Sequence, residues 1–378
     1  MTAFFWLFSF LVFYTYIGYP LVLSIVAAVR GRPAPEKRPV EPAVSIVVAA
    51  YNEEKVIAEK LENLLALNYP GEKLQIVVVS DCSSDRTDDL ARSFEDRGVR
   101  LHRMDKRGGK IAGYKSVLPV LSGEVIVFTD ATSTLAVDSL KKLVRNFADE
   151  AVGCVAGRLQ YLDPRKADIA RGEQTYWSYE ARIKFWEERV HSLTSVSGTF
   201  YAVRKELFPA DMADDLADDL IVVLHCVKNG RRVVLETEAV CQEYAIHADE
   251  AEVTKRWRIT VQNMRGLLSL AQIMDIRRYG WYAWMIISHK LFRMLVPFFL
   301  IGALVTNIFL TDGSVFFKWT LLAQVGFYLC AAVAAVWQDG RPRVLSIIYY
   351  FCVTNLAILL GVIKCFKGEK VAVWETAR

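Results

Sequence analysis

The chain has 378 residues, of which 53% are hydrophobic and 23% charged, and its formal net charge is +4. This apolar fraction is high for a soluble protein of such length, so part of the chain is predicted to lie in lipid. Basic residues beside apolar segments account for the net charge without nucleic acid, and the seven cysteines contain no C-x-x-C pair that would indicate a zinc site or a disulfide framework.

The first predicted element is a membrane anchor at residues 1–30. Residues 1–29 contain no charged side chain, and basic residues follow them at Arg30 and Arg32. The stretch exceeds the roughly 20 residues that a spanning helix needs, and it lacks the basic start and short core of a secretory signal. Because basic residues favour the cytoplasmic side, the C-terminal end of this uncleaved anchor is predicted to face the cytoplasm.

Residues 40–275 have the alternating pattern of strands and helices that is typical of an α/β domain. Short apolar runs at 44–50, 74–80 and 124–130 alternate with segments of helical length. Buried runs separated by helices are typical of a parallel sheet covered on both faces. In such sheets ligands bind beyond the carboxyl ends of the strands, so a binding site is predicted at that edge.

Each of these runs ends in polar side chains. The first leads into Tyr51 and Glu53, the second into Asp81, and the third ends at Asp130. Acids gathered at one edge would repel one another unless a cation or hydrogen-bond donors lay among them. Helix capping explains any single acid equally well, but the recurrence after successive strands favours a site for a ligand with a divalent metal.

The C-terminal part is predicted to return to the membrane. Apolar stretches at 294–310, 315–337 and 344–363 indicate a membrane region over residues 294–365. The segment before it, 276–293, mixes Trp and Tyr with basic residues, a composition typical of an interfacial helix.

The orientation of the tail, residues 366–378, depends on the third stretch. Three full crossings would leave this basic tail outside, contrary to the positive-inside rule. Either the third stretch does not cross fully, or the tail is external. Asn355 and Gly361 within that stretch favour an interfacial or re-entrant segment, and hence a cytoplasmic tail.

Seven motifs lie in order between about residues 44 and 270. They are VSIVVAAYNEE, IVVVSDCSSDRT, KRGGKIAGYKS, VIVFTDATS, SGTFYAVRKELF, ADDLIVVLHCVKNGRRVVLETEA and VQNMRG. Together they resemble membrane-embedded family 2 glycosyltransferases, a group that includes cellulose, hyaluronan and poly-N-acetylglucosamine synthases. The resemblance implies an α/β GT-A fold, with a Rossmann-like, mostly parallel sheet in a cytosolic domain flanked by transmembrane helices.

The same resemblance implies an inverting hexosyltransferase that moves a sugar from a nucleotide sugar to a growing polysaccharide. The expected nucleotide sugar is a UDP-sugar. Tyr51, Glu53 and Asp81 fall where the family holds the base and ribose of the nucleotide. Lys110 falls near the nucleotide sugar. Asp130 matches the first acid of the metal-binding D-x-D motif, which implies Mg²⁺ or Mn²⁺ at the diphosphate.

Two positions depart from the family pattern. Thr132 replaces the second acid of D-x-D, which lowers the negative charge available to a metal. Cys82 stands where the family commonly has Gly, so a positive φ at this position would strain the backbone.

The family's T-E-D motif aligns on Ala217, Asp218 and Asp219, at the predicted start of an apolar helix. Asp219 is the predicted general base, which would take the proton of the acceptor hydroxyl as that oxygen attacks the anomeric carbon. The helix dipole would favour its ionised form.

Gln262 and Arg265 match the first two named positions of the family's Q-x-x-R-W, and Arg265 is predicted to bind the diphosphate. A basic helix face against acidic lipid is the alternative explanation. Gly266 replaces the tryptophan, which lies near the acceptor in the family, so elongation of a chain is less favoured.

The last residues, WETAR, resemble a gating segment of some synthases, which implies roles for Trp374, Thr376 and Arg378 over the nucleotide. The expected partners are a nucleotide sugar, a carbohydrate or lipid-linked acceptor and membrane lipid, with homo-oligomerisation left open. The expected location is the plasma or inner membrane, with several spans and a cytoplasmic catalytic domain.

Two alternatives to polysaccharide synthesis remain open. The first is transfer of a single sugar to a lipid carrier or a lipid-linked oligosaccharide, which Gly266 favours. The second is an inactive nucleotide-binding scaffold subunit. Thr132 is the best argument for the scaffold, whereas the presence of Asp219 and Arg265 argues for an enzyme.

Overall fold

The computed structural model describes residues 1–162, 168–244, 249–337 and 341–373. The chain divides into two compact units. The sheet unit comprises Arg32–Leu162, Glu187–Ala245 and Lys370–Arg378. The apolar unit comprises Met1–Gly31, Asp163–Trp186 and Ile246–Glu369.

Eight strands form one mixed sheet in the sheet unit, in the order β3-β2-β1-β4-β7-β6-β8-β5. They are β1 (Val44–Ala50), β2 (Leu74–Ser80), β3 (Val99–Arg103), β4 (Val125–Asp130), β5 (Ser133–Leu135), β6 (Val152–Leu162), β7 (Phe200–Arg204) and β8 (Arg232–Tyr244). Strands β1 to β4 are parallel, as predicted. The other half is mixed, because β7 runs antiparallel to both β4 and β6.

The helices of the described residues follow in chain order. They are α1 (Thr2–Phe13), α2 (Tyr19–Arg30), α3 (Ile57–Leu65), α4 (Thr87–Arg92), α5 (Lys110–Val117), α6 (Ser139–Val144), α7 (Asp168–Val190), α8 (Asp218–Lys228), α9 (Asp249–Ser269), α10 (Ile276–Tyr279), α11 (Trp281–Met285), α12 (Phe292–Ile308), α13 (Val315–Val336) and α14 (Arg343–Phe366). Wider helical turns at Tyr14–Gly18 and Ile286–Leu291 join α1 to α2 and α11 to α12.

The central strands are buried because they are continuous apolar runs covered on both faces. On one face, Ile46 and Val48 of β1 belong to a core that includes Ile57 and Leu61 of α3. On the other face, aromatic rings stack from helix α5 across the sheet. The ring centroids of Tyr114 and Phe128 are 4.2 Å apart, and those of Phe128 and Tyr201 are 5.1 Å apart.

The register brings the carboxyl ends of three parallel strands to the same level. Ala50, the last residue of β1, lies opposite Ser80 at the end of β2. On the other side, Ala49 lies opposite Asp130 at the end of β4. The polar residues that follow these strands therefore share one edge, where the sequence predicts a ligand site.

Among its described residues, the apolar unit contains four helical runs that are long and apolar enough to cross a membrane. They are Thr2–Arg30, Trp281–Ile308, Val315–Val336 and Arg343–Phe366. Helix α13 buries only Ala331 and Ala334, while its large apolar side chains face outward, as expected of a helix in contact with lipid. The proposed boundary at residue 293 falls inside one continuous run, so the segment predicted as interfacial continues into a candidate span.

Helix α14 packs against the charged helix α9 within the same unit. A Cβ on Gly361 of α14 would lie 2.6 Å from Cβ of Thr260, so the glycine permits close approach of the two helices. The Arg256 guanidinium donates to the hydroxyl of Tyr350 and lies over its ring. One side of α14 is therefore covered by polar protein rather than by lipid.

Candidate active site

The centre of the sheet edge is an ion pair between Lys110 and Asp130. Lys110, the first residue of α5, donates through Nζ to Oδ1 of Asp130 at 2.8 Å and to the carbonyl of Gly198 at 3.1 Å. Oδ2 of Asp218 lies 4.0 Å from the same nitrogen. Burial lowers the pKa of Lys110, but the Asp130 and Asp218 carboxylates more than reverse this effect and hold that pKa well above its usual range.

Asp218 and Asp219 begin helix α8, as the sequence predicts. Asp218 is buried and accepts a hydrogen bond from the Tyr201 hydroxyl at 2.9 Å. Asp219 is more exposed, and its backbone carbonyl accepts from the amide of Val196. Both residues lie in the first turn of α8, at the positive end of the helix dipole.

Gly198 lies close to both Lys110 and the start of α8. A Cβ at this position would lie 3.4 Å from Nζ of Lys110, 3.8 Å from Cβ of Asp219 and 3.9 Å from Oδ1 of Asp218, all within van der Waals contact. Lys110, Asp218 and Asp219 thus surround one backbone position at the sheet edge.

Asp81 holds the loop that carries Lys110. Its two carboxylate oxygens accept from the backbone amides of Gly108 at 2.7 Å and Gly109 at 3.1 Å. Gly109 has a φ of +87°, a conformation that glycine adopts without strain. Asp81 therefore has a structural task in addition to the predicted contact with the nucleotide, which stays a prediction.

Tyr51 and Glu53 follow β1 at the same edge. The Arg107 guanidinium lies 3.6 Å from the centroid of the Tyr51 ring, a cation–π contact. Glu53 is buried, and its backbone amide donates to Thr87 at 2.7 Å. Arg107 also lies 3.9 Å from the Asp81 carboxylate, and the roles of Tyr51 and Glu53 at a nucleotide stay predictions.

A buried lysine of helix α3 holds the turn after Asp130 in place. Lys60 of α3 donates through Nζ to the Thr129 hydroxyl, the Ser133 carbonyl and the Ser133 hydroxyl, at 2.8, 2.7 and 3.0 Å. All three donors of the ammonium are thereby used. Burial lowers the pKa of Lys60 from its usual 10.5 to about 8.

Thr132, which replaces the second acid of the D-x-D motif, faces a carboxylate from another strand. Its hydroxyl donates to Oε1 of Glu243 at 3.0 Å. Strand β8 brings Glu243 there because Ser133 of β5 pairs with Glu243 in the ladder. Asp130, Thr132 and Glu243 are all oxygen donors, the type that Mg²⁺ and Mn²⁺ prefer, so this set fits such a cation. Among the described residues, no cluster of three or more His, Cys, Asp or Glu side chains has metal-binding geometry.

Cys82 has a φ of +60°. The backbone strain that was expected from its replacement of glycine in the family pattern is therefore present. Its thiol donates to the carbonyl of Met104 at 3.1 Å. The strained backbone is thus accompanied by a contact to the chain just after β3.

Gln262 and Arg265 lie in the apolar unit, on helix α9, and both side chains are half-buried. Their roles at the diphosphate stay predictions. Trp374, Thr376 and Arg378 lie outside the described residues. The tail before them does belong to the sheet unit, and the carbonyl of Ala372 lies against Gly109.

Sequence reasoning missed Glu243, Lys60 and the position of Gly198 beside Lys110. Gly198 belongs to the SGTF part of a family motif, so its position was marked in the sequence, but its role was not indicated. Glu243 and Lys60 are distant in sequence from Asp130, and only the pairing of β5 with β8 and the packing of α3 bring them there.

Comparison with known proteins supports the predicted family. Residues 45–210 match the family model described as "Glycosyl transferase family 2". The chain is 35% identical over 198 residues to a beta-monoglucosyldiacylglycerol synthase of Trichormus variabilis, covering 50% of this chain and 42% of that protein. It is 26% identical over 206 residues to a poly-beta-1,6-N-acetyl-D-glucosamine synthase of Staphylococcus aureus, covering 52% and 49%. The chain thus spans less than half the length of these two curated relatives.

One solved structure matches nearly the whole chain. The mannosyltransferase PcManGT of Pyrobaculum calidifontis, solved in complex with GDP-Man and Mn²⁺, has a TM-score of 0.73 and 20% identity. The match covers 97% of this chain and 99% of that one. At this identity the likeness concerns the fold, and it confirms the predicted GT-A-like core with long apolar helices.

Proposed function

We propose, from the match of residues 45–210 to the glycosyl transferase family 2 model, that this chain transfers a single sugar from a nucleotide sugar to a membrane lipid. The observation that carries the proposal is the sheet edge, where Lys110, Asp130 and Asp218 meet beside Gly198. A cation among carboxylates at the ends of parallel strands suits a charged, hydroxyl-rich ligand such as a nucleotide sugar.

The lipid acceptor is favoured over a growing polysaccharide. The relative from Trichormus variabilis is named for glucose on diacylglycerol, and it is more similar than the poly-N-acetylglucosamine synthase. Gly266, in place of the tryptophan near the acceptor, agrees with transfer of one sugar. Polysaccharide synthesis, the first expectation from the sequence, is the second candidate because the Staphylococcus aureus relative makes a polymer by its name.

In the proposed reaction Asp219 takes the proton of the acceptor hydroxyl. The hydroxyl oxygen forms a bond to the anomeric carbon, and the bond between that carbon and the diphosphate oxygen breaks. Its electron pair leaves with the nucleoside diphosphate, and a single displacement inverts the anomeric configuration. Asp219 suits this task because it is more exposed than Asp218, which is engaged by Tyr201.

The remaining residues are proposed to hold the donor. Lys110 would move from Asp130 toward the phosphates and balance the charge that develops there. Asp130 would hold Mg²⁺ or Mn²⁺, which when bound neutralises the diphosphate, and the Mn²⁺ in the PcManGT complex agrees with this choice. A UDP-sugar is the proposed donor, with Tyr51, Glu53 and Asp81 near its nucleoside. The diphosphate contacts of Gln262 and Arg265 stay predictions from the family pattern.

The sheet unit is proposed to face the cytoplasm, together with the tail. Basic residues follow the first span, and Ala372 contacts Gly109 within the sheet unit. The chain leaves this unit before residue 246 and returns at Lys370, so an even number of crossings separates these points. Three candidate spans lie between them. The one proposed not to cross is α14, because helix α9 covers one of its sides.

Release of nucleoside diphosphate by the purified chain tests the function. The full chain in lipid nanodiscs with and without diacylglycerol would be given UDP-glucose, UDP-galactose, UDP-N-acetylglucosamine and GDP-mannose in turn. We expect release with at least one UDP-sugar, stimulated by diacylglycerol, and a loss of about 10²- to 10⁴-fold in Asp219→Asn because the base is removed.

Asp214→Asn is the matched control, since Asp214 lies in the same acidic run but is exposed and paired with Lys115. We expect this variant to retain wild-type turnover. Folded wild-type protein that releases no nucleoside diphosphate from any donor would instead favour the scaffold alternative.

A further inference from the structure

Helices α12 and α14 of the apolar unit line a groove of about 410 Å³. Five of its six lining side chains are apolar and the sixth is a lysine: they are Leu295, Phe298, Val362, Ile363, Phe366 and Lys367. Both helices belong to candidate membrane spans, so a groove at their surface is expected to face the hydrocarbon of a membrane. Its volume lies within the range of roughly 300–1,000 Å³ that is typical of ligand pockets.

Large apolar side chains of this groove are exposed. Phe366 is 73% exposed, Ile363 39% and Phe298 37%. Clustered side chains of this kind are exposed where a protein meets lipid or another apolar partner. An acyl chain suits the groove, because it would cover these side chains and has no polar group that needs a hydrogen bond there.

Lys367 lies at the end of a candidate span. The span Arg343–Phe366 ends one residue before it, and the lysine side chain is exposed. Such a change from apolar to charged residues marks the boundary of the hydrocarbon, where the phosphate groups of phospholipids lie. Lys367 is therefore at the level of the headgroups, and Ile363 is on the hydrocarbon side of it.

The ammonium of Lys367 is available to an anion. Nζ of the neighbouring Lys364 lies 2.8 Å from Oε2 of Glu369, so these two charges neutralise each other. The side chain of Lys367, in contrast, makes no hydrogen bond or ion pair with another residue that the structure describes. A lysine at a helix C-terminus also interacts favourably with the helix dipole, but here only the backbone amide donates to a helix carbonyl, that of Ile363 at 3.0 Å.

We propose that this groove binds an anionic phospholipid, with one acyl chain between α12 and α14 and the phosphate group at the ammonium of Lys367. A zwitterionic phospholipid has the same acyl chains, but the cation in its headgroup weakens the attraction to a lysine. The groove lies wholly in the apolar unit and contains no residue of the candidate active site. The lipid would therefore bind whichever sugar and acceptor the enzyme uses.

Photo-crosslinking from the groove tests the proposal. The full chain with Phe366→p-benzoylphenylalanine would be placed in nanodiscs of equal parts dioleoylphosphatidylglycerol and dioleoylphosphatidylcholine and irradiated. Mass spectrometry would measure the ratio of the two lipids attached at residue 366. We expect phosphatidylglycerol to be enriched about fivefold, the factor for one lysine near the membrane surface, and the enrichment to be lost when Lys367→Gln is added.

Lys318→Gln is the matched control, because Lys318 is an exposed lysine near the start of the candidate span Val315–Val336 and does not line the groove. Adding it should leave the enrichment at residue 366 unchanged. The photoreactive residue placed instead at Leu329, which is 61% exposed in the middle of α13, should capture the two lipids in their bulk ratio.

Ile363→Trp tests the position of the acyl chain. This substitution fills the groove from α14 and should lower the total amount of lipid captured at residue 366. Thermal melting would verify that each variant is folded. The bulk lipid ratio at residue 366, an enrichment that survives Lys367→Gln, or full capture in folded Ile363→Trp would each overturn the proposal.

Discussion

The backbone at Cys82 adopts a φ of +60°, a conformation that costs a residue with a Cβ roughly 1 kcal/mol or more. This strain could be expected before the structure was known, because glycine is common at that position in the family. The thiol contact with Met104 explains what the side chain does, but it could not be predicted, since Met104 follows a different strand.

Cys82→Gly is expected to raise the free energy of unfolding by about 0.5–1 kcal/mol, because relief of strain outweighs the greater entropy of glycine in the unfolded chain. Thermal midpoints in detergent would measure the change. Asn52→Gly is the matched control: Asn52 has a φ of +53°, but its side chain accepts from the amide of Ser84, so this variant should lose stability. A lower midpoint for Cys82→Gly would show that the thiol contact matters more than the strain.

At the scale of elements, the parallel strands and the edge they share could be predicted from apolar runs that end in acids. Asp130 and Lys110 were both predicted in the site, but their ion pair depends on the start of α5. Strand β8, which carries Glu243, gave no comparable signal, because its position beside β6 and β5 is a matter of long-range pairing. The antiparallel direction of β7 was missed for the same reason.

Helix α3 places Lys60 against the turn at residues 130–132, and the burial of this lysine makes the free energy of unfolding depend on pH. Because burial lowers the pKa of Lys60 from 10.5 to about 8, the unfolded chain holds a proton between these values that the folded chain does not. Stability contributed by this group therefore rises with pH across that window and is least below pH 8. Between pH 8 and 9.5 we expect a gain of about 2 kcal/mol for wild type relative to Lys60→Met.

Thermal midpoints of both proteins at these two pH values would measure this difference. Lys55→Met, which removes an exposed lysine just before α3, controls for a general effect of charge. If the midpoints of wild type and Lys60→Met change in parallel with pH, Lys60 does not titrate in this window.

At the scale of the whole molecule, four apolar runs were predicted and four candidate spans are present, although the second begins at Trp281 rather than at residue 294. Their lengths follow directly from composition. Composition does not decide which of them cross a membrane, because α14 is as apolar as a spanning helix. Only its packing against α9 distinguishes it.

Fusions at the C-terminus test the proposed topology. Green fluorescent protein attached after Arg378 should fluoresce in a bacterial host, and alkaline phosphatase at the same point should be inactive, because both report a cytoplasmic tail. Fusions placed after Thr311, between the second and third candidate spans, should give the reverse pattern. An active phosphatase after Arg378 would mean that α14 crosses fully.

We propose that the sheet edge transfers one sugar from a nucleotide sugar to a lipid. The mass of the lipid product tests this proposal, when the purified chain in nanodiscs containing diacylglycerol receives the UDP-sugar that supports turnover. We expect a product heavier than diacylglycerol by a single sugar residue, even at high donor concentration. Long saccharide chains made without a one-sugar intermediate, or sugar released without any glycolipid, would overturn the proposal.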